Sequence, residues 1–365
     1  MTREIDFNLP DYWGGGSEWS QKELPLLFDS LCKSPLVNRI IIKGPIGVGK
    51  SRLARIFAAY IRLVRSSASD RERLLKAYQV GHKQYPQAGI PEDSLEDFKA
   101  INVATLPPQT GMVALFGVAP NYYSGVSGRP GIFEMVMYKN KENDFYNKYY
   151  QQDKMKRGSS IEHPDKIENG EKDYVTGGIV FLDEIADATI HHQTALLKLV
   201  AEGTFNREGC PVRTEIFDGI IIGATWKKLN KISEKDTDEK FRADLLSRFE
   251  GAVINIPPLS ERPEDIAPHA RQIAKEINLE IENRIKKIEE DRSLESSIFI
   301  EGIRKYHIAI DSDDYGSIKL IDIIGDLKNH DWKKGSVREL RRVIERYITF
   351  QGKKKIRDII KDLKN

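Results

Sequence analysis

Cysteine is scarce in this chain: Cys32 and Cys210 are the only two among 365 residues, and they stand in no metal-ligand spacing. That excludes a disulfide scaffold and suits a reducing compartment, so the cytoplasm is expected. Long apolar runs are missing as well. None approaches the roughly 20 residues of a membrane-spanning helix, and the opening Met-Thr-Arg-Glu-Ile-Asp has no signal-peptide core. Excess charge of one sign is absent too: 57 Lys and Arg against 55 Asp and Glu leave a net +2. Nothing global therefore points to nucleic acid or a membrane surface. The chain has no internal repeat, and its length suits two domains or one large domain with an appendage.

What is present begins with Gly44-Pro45-Ile46-Gly47-Val48-Gly49-Lys50-Ser51. It follows the apolar run Ile40-Ile41-Ile42 and opens a helical pattern, Leu53, Ile56, Phe57, Tyr60 and Ile61. Strand, glycine-rich turn and helix are the context that a phosphate loop of the form G-x-x-x-x-G-K-[ST] requires. Glycines let successive backbone N–H groups point into one concavity, and the positive end of the following helix favours an anion there. Lys50 is placed to reach the β- and γ-phosphates, and the Ser51 hydroxyl to take one Mg²⁺ position. The expected ligand is a nucleoside triphosphate.

Ahead of the loop, residues 1–38 carry Trp13-Gly14-Gly15-Gly16-Ser17 and a short helical pattern, Leu24 to Leu31. No strong strand precedes those glycines, so a lead-in passing over the nucleotide base is favoured over a second phosphate loop. The loop helix is expected to run to about Val64. A charged helical segment, Asp70 to His82, and a polar stretch with Pro86 and Pro91 read as a surface excursion. Ala100 to Ala104 reads as a short strand, followed by the Gly-, Tyr- and Ser-rich loop Phe116 to Val126. Residues 138–176 are highly charged, with Tyr146, Tyr149 and Tyr150 among lysines; acidic residues dilute the charge, which favours a solvated insertion over a strand-binding surface.

Gly178-Ile179-Val180-Phe181-Leu182-Asp183-Glu184 is the second decisive stretch. A continuous apolar run ending in two carboxylates is a buried parallel strand whose C-terminal edge faces the phosphate site. Asp183 is expected to hold Mg²⁺, and Glu184 to polarise the attacking water, which makes hydrolysis the expectation. Adjacent His191 and His192 cannot form an i,i+4 metal pair and read as surface residues. Gly219 to Thr225 is a further core strand. Arg242 and Arg248, six residues apart on one expected helix, precede a last core strand, Val253 to Leu259. From Glu261 the pattern is helical to the end, with Ser336 to Phe350 carrying Val337, Leu340, Val343, Ile344 and Tyr347 on one face.

Together these stretches resemble the AAA+ ATPase domain of bacterial enhancer-binding proteins, the activators of sigma-54 RNA polymerase. Glu184 to Asp187 and Leu196 to Phe205 match that family's second nucleotide motif and following helix. Phe241 to Leu245 with Arg248, then Pro257 to Ile266, match its next signature, and Val337 to Arg341 its lid. The resemblance implies an α/β P-loop NTPase core, a parallel sheet between helices, with a C-terminal helical lid. It implies a lead-in over 1–34, a core over 35–260 with insertions at about 66–98 and 138–176, and a lid over 261–365.

By the same resemblance Arg242 and Arg248 are fingers that reach a neighbouring subunit's γ-phosphate. Arg338 is the lid's sensor, and Asn102 the switch that holds Glu184 away until a signal arrives. A homo-oligomer, a hexameric ring, is implied. The client would be sigma-54 RNA polymerase, gripped through loop 117–131. Four departures stand out. Ser51 replaces the family's usual glutamate. Trp226 follows Ala224-Thr225 where asparagine is common. Asn121-Tyr122-Tyr123-Ser124-Gly125-Val126 replaces Gly-Ala-Phe-Thr-Gly-Ala, and neither a receiver-like region nor a helix-turn-helix is evident, so direct DNA binding is not expected. The alternative is the same ATPase recruited as an assembly switch to another client, in a defence or signalling system.

Overall fold

The computed structural model describes residues 13, 15–34, 37–66, 68–84, 95, 98–108, 110–119, 122, 128–137, 178–211, 214–227, 241–249, 252–290, 296–310, 318–330, 332, 336–351 and 353–364. The proposed insertion 138–176, Pro86, Pro91 and most of the loop Asn121 to Val126 lie outside these.

A π-helical turn leads into α1 (Leu24–Lys33), followed by β1 (Arg39–Lys43), α2 (Lys50–Arg65), α3 (Ala68–Gln84) and β2 (Phe98–Asn102). Then come α4 (Gly111–Phe116), α5 (Ile132–Met137), β3 (Ile179–Asp183), α6 (Ile190–Glu202), β4 (Thr204–Phe205) and β5 (Glu215–Ile216). Next are β6 (Ile220–Thr225), α7 (Ala243–Phe249), β7 (Val253–Asn255), α8 (Ile266–Glu290) and α9 (Ser296–Arg304). Last are β8 (Ile308–Ala309), β9 (Ile318–Lys319), α10 (Ile321–Lys328), α11 (Val337–Thr349) and α12 (Ile356–Lys364). The chain divides into two compact units, one of Met1–Ser34, Gly44–Ser94 and Asn255–Asn365, the other of Pro35–Lys43 and Leu95–Ile254.

The second unit is built on a sheet of order β2-β3-β6-β1-β7, in which β2–β3, β3–β6 and β6–β1 are parallel. Ile40, Ile41, Ile42, Val180, Leu182, Ile221 and Ile222 are all buried, as expected of strands covered on both faces. β2 starts two residues earlier than the sequence suggests. Phe98 stacks on Phe181 at 6.4 Å, and the strand stops because the Asn102 side chain accepts the Ala104 N–H at 2.9 Å and turns the chain into a 3₁₀ segment. An aromatic cluster of Phe116, Phe133, Phe205 and Phe217 joins α4, α5 and the β4–β5 hairpin in one core.

His192 departs from the surface reading. Thr189 caps α6 by accepting the His192 N–H at 3.3 Å, and this phase turns the His192 ring fully inward against Gly111, where any Cβ would overlap it. Burial pulls the His192 pKa below its ordinary value. His191 is exposed, as expected.

In the first unit α2 buries Leu53, Ile56, Phe57 and Ile61, with Phe28 of α1 edge-on to Phe57 at 4.8 Å. Arg71 of α3 donates to Leu63 O at 3.0 Å and Ser66 O at 3.2 Å, supplying the cation that a helix C-terminus favours. Leu74 and Tyr78 of α3 are buried, so this segment is no mere surface excursion. A second core gathers α8, α10, α11 and α12 around Trp332, whose indole N–H donates to Leu327 O at 2.8 Å. The expectation of an all-helical region after Glu261 is corrected by β8 and β9, which pair in parallel. Buried Asn278 makes them possible: its amide donates to Ile308 O at 2.8 Å and accepts Ile308 N–H at 2.9 Å, standing in for a strand partner. α11 spans the expected stretch, capped by Ser336, which accepts the Glu339 N–H at 3.2 Å. Among the described residues no helix is long and apolar enough to cross a membrane.

Candidate functional site

The phosphate loop belongs to the first unit and follows β1 directly in the chain. Gly47 at φ +74° and Gly49 at φ +105° are left-handed, a conformation that costs any other residue about 1–2 kcal/mol. A Cβ on Gly47 would stand 2.6 Å from Ser336 Oγ and 2.9 Å from Arg338 Cβ. Gly44 is required as well, since a Cβ there would lie 2.9 Å from Ile256 O. Pro45 and Ile46 form the exposed crest of the loop and Val48 its buried side. Lys50 is only 6% exposed, and its Nζ donates to Gly44 O at 3.2 Å and Pro45 O at 3.1 Å. The ammonium is thus already folded over the loop it would serve. Ser51, half-buried, stands on the first turn of α2.

Helix α11 begins on this loop: the Arg338 N–H donates to Gly47 O at 3.3 Å. One turn on, Arg341 donates to Glu276 at 2.7 Å, Glu280 at 2.8 Å and Glu345 at 2.7 Å. Arg52, next to Ser51, pairs with the same Glu276 at 3.6 Å. Burial raises the Glu276 pKa, and Arg52 and Arg341 work against it. Within this unit, then, the structure brings Lys50, Ser51 and Arg338 to one place.

It adds residues that sequence reasoning missed. Trp13 is fully buried, and a Cβ on Gly49 would meet its ring at 2.9 Å. Asp265 accepts the Gly16 N–H, the Ser17 N–H at 2.6 Å and the Ser20 hydroxyl at 2.9 Å. Burial acts to raise the Asp265 pKa, but those N–H groups and Arg262 outweigh it and hold the carboxyl below its ordinary value. His269 is pushed down to about 3 by burial and by Arg262. The turn-rich Trp13 to Ser17 signalled a loop, but nothing in it announced a carboxylate 248 residues away.

The second unit carries the carboxylates. Asn102 and Asp183 end β2 and β3 as register partners. Asp183 Oδ1 accepts the Glu184 N–H at 3.0 Å, and Glu184 itself is left-handed at φ 52° and ψ 43°. A non-glycine residue in that region stores strain, of the kind found at functional sites. It persists because Ile185 and Ala186, directly after it, are buried in the core. Thr225 ends β6 buried, its Oγ1 accepting the Lys227 N–H at 3.0 Å, while Trp226 is 46% exposed. Lys227 pairs with Asp187 at 2.6 Å.

Arg242 and Arg248 do not share a helix, a correction to the sequence reading: α7 starts at Ala243, and only Arg248 lies on it. Arg242 is held ahead of it, because its N–H donates to Gln193 Oε1 at 2.7 Å and its guanidinium to Asp244 at 2.7 Å and Thr194 at 3.2 Å. Gln193 in turn donates to Ala188 O at 2.8 Å, which links Arg242 to the turn that follows Glu184.

Loop 117–131 is closed at its base by paired Val118 and Arg129. Gly117, at φ +81°, packs against Gly131 N, where a Cβ would stand at 2.7 Å. Tyr122 is exposed; Tyr123, Ser124 and Gly125 lie outside the described residues. Beneath the base, fully buried Glu134 accepts from Arg207, which also pairs with Glu215 at 3.7 Å. Burial pushes the Glu134 carboxyl up to about 7, more than Arg207 pulls it down. A raised carboxyl pKa means that stability is fully present below the unfolded value and is lost as pH rises through the folded one. Thermal melts from pH 5 to 8 should therefore show the wild-type Tm falling relative to Glu134→Gln, chiefly between pH 5 and 7. A constant difference across that range would remove the assignment.

A phosphate loop directly after β1 of a parallel sheet, with carboxylates at the end of β3 two places along the same sheet, defines an α/β nucleotide-loop fold of the AAA+ class. NtrX from Brucella abortus, crystallised with ATP, shares that fold at a TM-score of 0.54 and 21% identity, over 93% of this chain and 53% of its own.

The sequence narrows the class. Residues 157–255 match the Sigma-54 interaction domain family. The DNA-binding transcriptional regulator NtrC of Proteus hauseri is 39% identical over 122 residues, 32% of this chain and 24% of its own length. The transcriptional regulatory protein XylR of Pseudomonas putida is 26% identical over 256 residues, 70% of this chain and 32% of its own. The chain thus resembles the AAA+ domain of sigma-54 activators, and spans about a quarter to a third of these curated relatives.

Proposed function

We propose that this chain is an oligomeric cytoplasmic ATPase that hydrolyses ATP with Mg²⁺ to remodel a protein client, with 1–34 as lead-in, 35–260 as core and 261–365 as lid. The observation that carries this reading is the loop itself: two left-handed glycines and a buried Lys50 already poised over their carbonyls. Phosphate oxygens would take Lys50 Nζ from Gly44 O and Pro45 O, and backbone N–H groups from water. Ser51 and Asp183 are hard oxygen donors of the kind Mg²⁺ takes, and the ion would neutralise charge between the β- and γ-phosphates. Glu184 would hold and deprotonate the attacking water, with Asn102 setting when it does so. Arg338 would read the nucleotide in its own subunit, and Arg242 and Arg248 would reach that of the neighbour in a ring, a hexamer.

Finger action in trans has a direct test. Arg248→Ala and Glu184→Gln proteins, each inactive alone, should regain ATP turnover when mixed, because an intact finger then meets an intact glutamate. Mixtures that stay as silent as the separate variants would overturn the ring reading. The client under this proposal is sigma-54 RNA polymerase, taken through loop 117–131. The replaced residues Asn121 to Val126 favour a second reading, a different client in a defence or signalling system. Pull-down with ATP-loaded Glu184→Gln protein separates the two: recovery of sigma-54 supports the first, and an unrelated partner without polymerase the second.

A further inference from the structure

Arg262 is fully buried, yet each nitrogen of its guanidinium has a partner. Nε donates to Pro257 O at 3.1 Å, and Nη1 to Asp265 Oδ2 at 2.8 Å, with His269 Nε2 at 3.2 Å. The plane stacks near the rings of Trp13 at 5.4 Å and Trp19 at 5.6 Å. The remaining nitrogen, Nη2, points to Val48 O in the phosphate loop, at 3.5 Å.

That last contact bears on anion binding through one property of the peptide bond. In a planar trans peptide the C=O of one residue and the N–H of the next point in opposite directions. A cation that draws Val48 C=O to one side therefore aims Gly49 N–H to the other, away from itself. Gly49 follows at φ +105°, so the peptide is held in an orientation open to glycine alone. Trp13 closes over Gly49 and is itself stacked on the same guanidinium. Asp265 anchors Arg262 from below while binding Gly16, Ser17 and Ser20 of the lead-in. One buried cation thus links the lead-in, the start of the lid region and the loop.

We propose that Arg262 is a positioning residue for phosphate: through the Val48–Gly49 peptide it presents Gly49 N–H to the nucleotide's phosphate chain. This rests on the ATP reading above. It touches no substrate, and its effect is on the loop's readiness for an anion. It is accordingly indifferent to the base.

The test uses the full chain with ATP, GTP and inorganic tripolyphosphate as probes. Arg262→Lys keeps the charge but lacks the fork needed to hold Asp265 and Val48 together. Affinity for all three probes should fall together, by about tenfold, the worth of one charge-assisted hydrogen bond. The KM for ATP should rise while kcat is kept, since such an interaction is uniform along the reaction. Labelling with ¹³C-carbonyl valine and ¹⁵N-glycine isolates two Val-Gly peptides, 48–49 and 80–81. The Gly49 amide resonance should move in the phosphate-free Arg262→Lys protein. If that variant fails to fold, Asp265→Asn loosens the same guanidinium and should move the same resonance. An unmoved Gly49 amide with wild-type affinities would overturn the proposal. Wild-type protein that takes up neither ATP nor tripolyphosphate would instead bring down the ATP reading itself.

Discussion

Lys50→Ala is expected to lower ATP affinity by at least about 100-fold, the loss of a charge-assisted contact to two phosphates in a half-enclosed loop. The fold should survive. Nζ donates to Gly44 O and Pro45 O, two backbone carbonyls of the loop. Those two carbonyls lie at the surface side of the loop, half-buried at Gly44 and exposed at Pro45, so water can replace the ammonium. Calorimetric titration with ATP checks the affinity, and a thermal melt without nucleotide checks the fold. An affinity within a factor of two of wild type would mean that the loop does not bind triphosphate. Lys50→Arg should restore little, because the planar fork does not fit a position cut for a compact ammonium.

Glu184→Gln is expected to bind ATP normally and to lose about 10²–10³-fold in turnover, the usual worth of a positioned general base. The exchange preserves shape, so the left-handed backbone at φ 52° and the buried Ile185 and Ala186 after it should remain in place. What disappears is the carboxylate's ability to accept a proton from water. Phosphate release measures the loss, and size-exclusion chromatography with ATP should show the assembled form persisting. Turnover within twofold of wild type would move the catalytic role elsewhere, with Asp183 the nearest carboxylate in sequence. Retained turnover together with lost assembly would point to a structural role for Glu184.

Much of this was legible in the amino-acid sequence because its signals are local. A phosphate loop is eight consecutive residues whose glycines are dictated by backbone conformation, and Gly47 and Gly49 are left-handed as such a loop needs. Ile179 to Asp183 could be read as a buried strand from its unbroken apolar run, and α11 from its periodic face and its Ser336 cap. These properties depend on neighbours within a few residues, and sequence order preserves them.

What sequence order does not preserve is which distant groups meet. The inward phase of His192 was set by a cap at Thr189 and by space left at Gly111. Arg242 fell off the helix because Gln193, 49 residues away, captures its N–H. The strands β8 and β9 exist because Asn278 satisfies Ile308. Arg262, Asp265 and Trp13 each looked unremarkable in isolation, and only packing made them one buried cluster under the phosphate loop. The sequence by itself determined the loop, the acidic strand end and the class of fold, since each rests on local backbone conformation or periodicity. Tertiary structure alone decided how the loop is braced and how Glu184 is strained, because desolvation and long-range hydrogen bonds arise only when the chain has closed on itself.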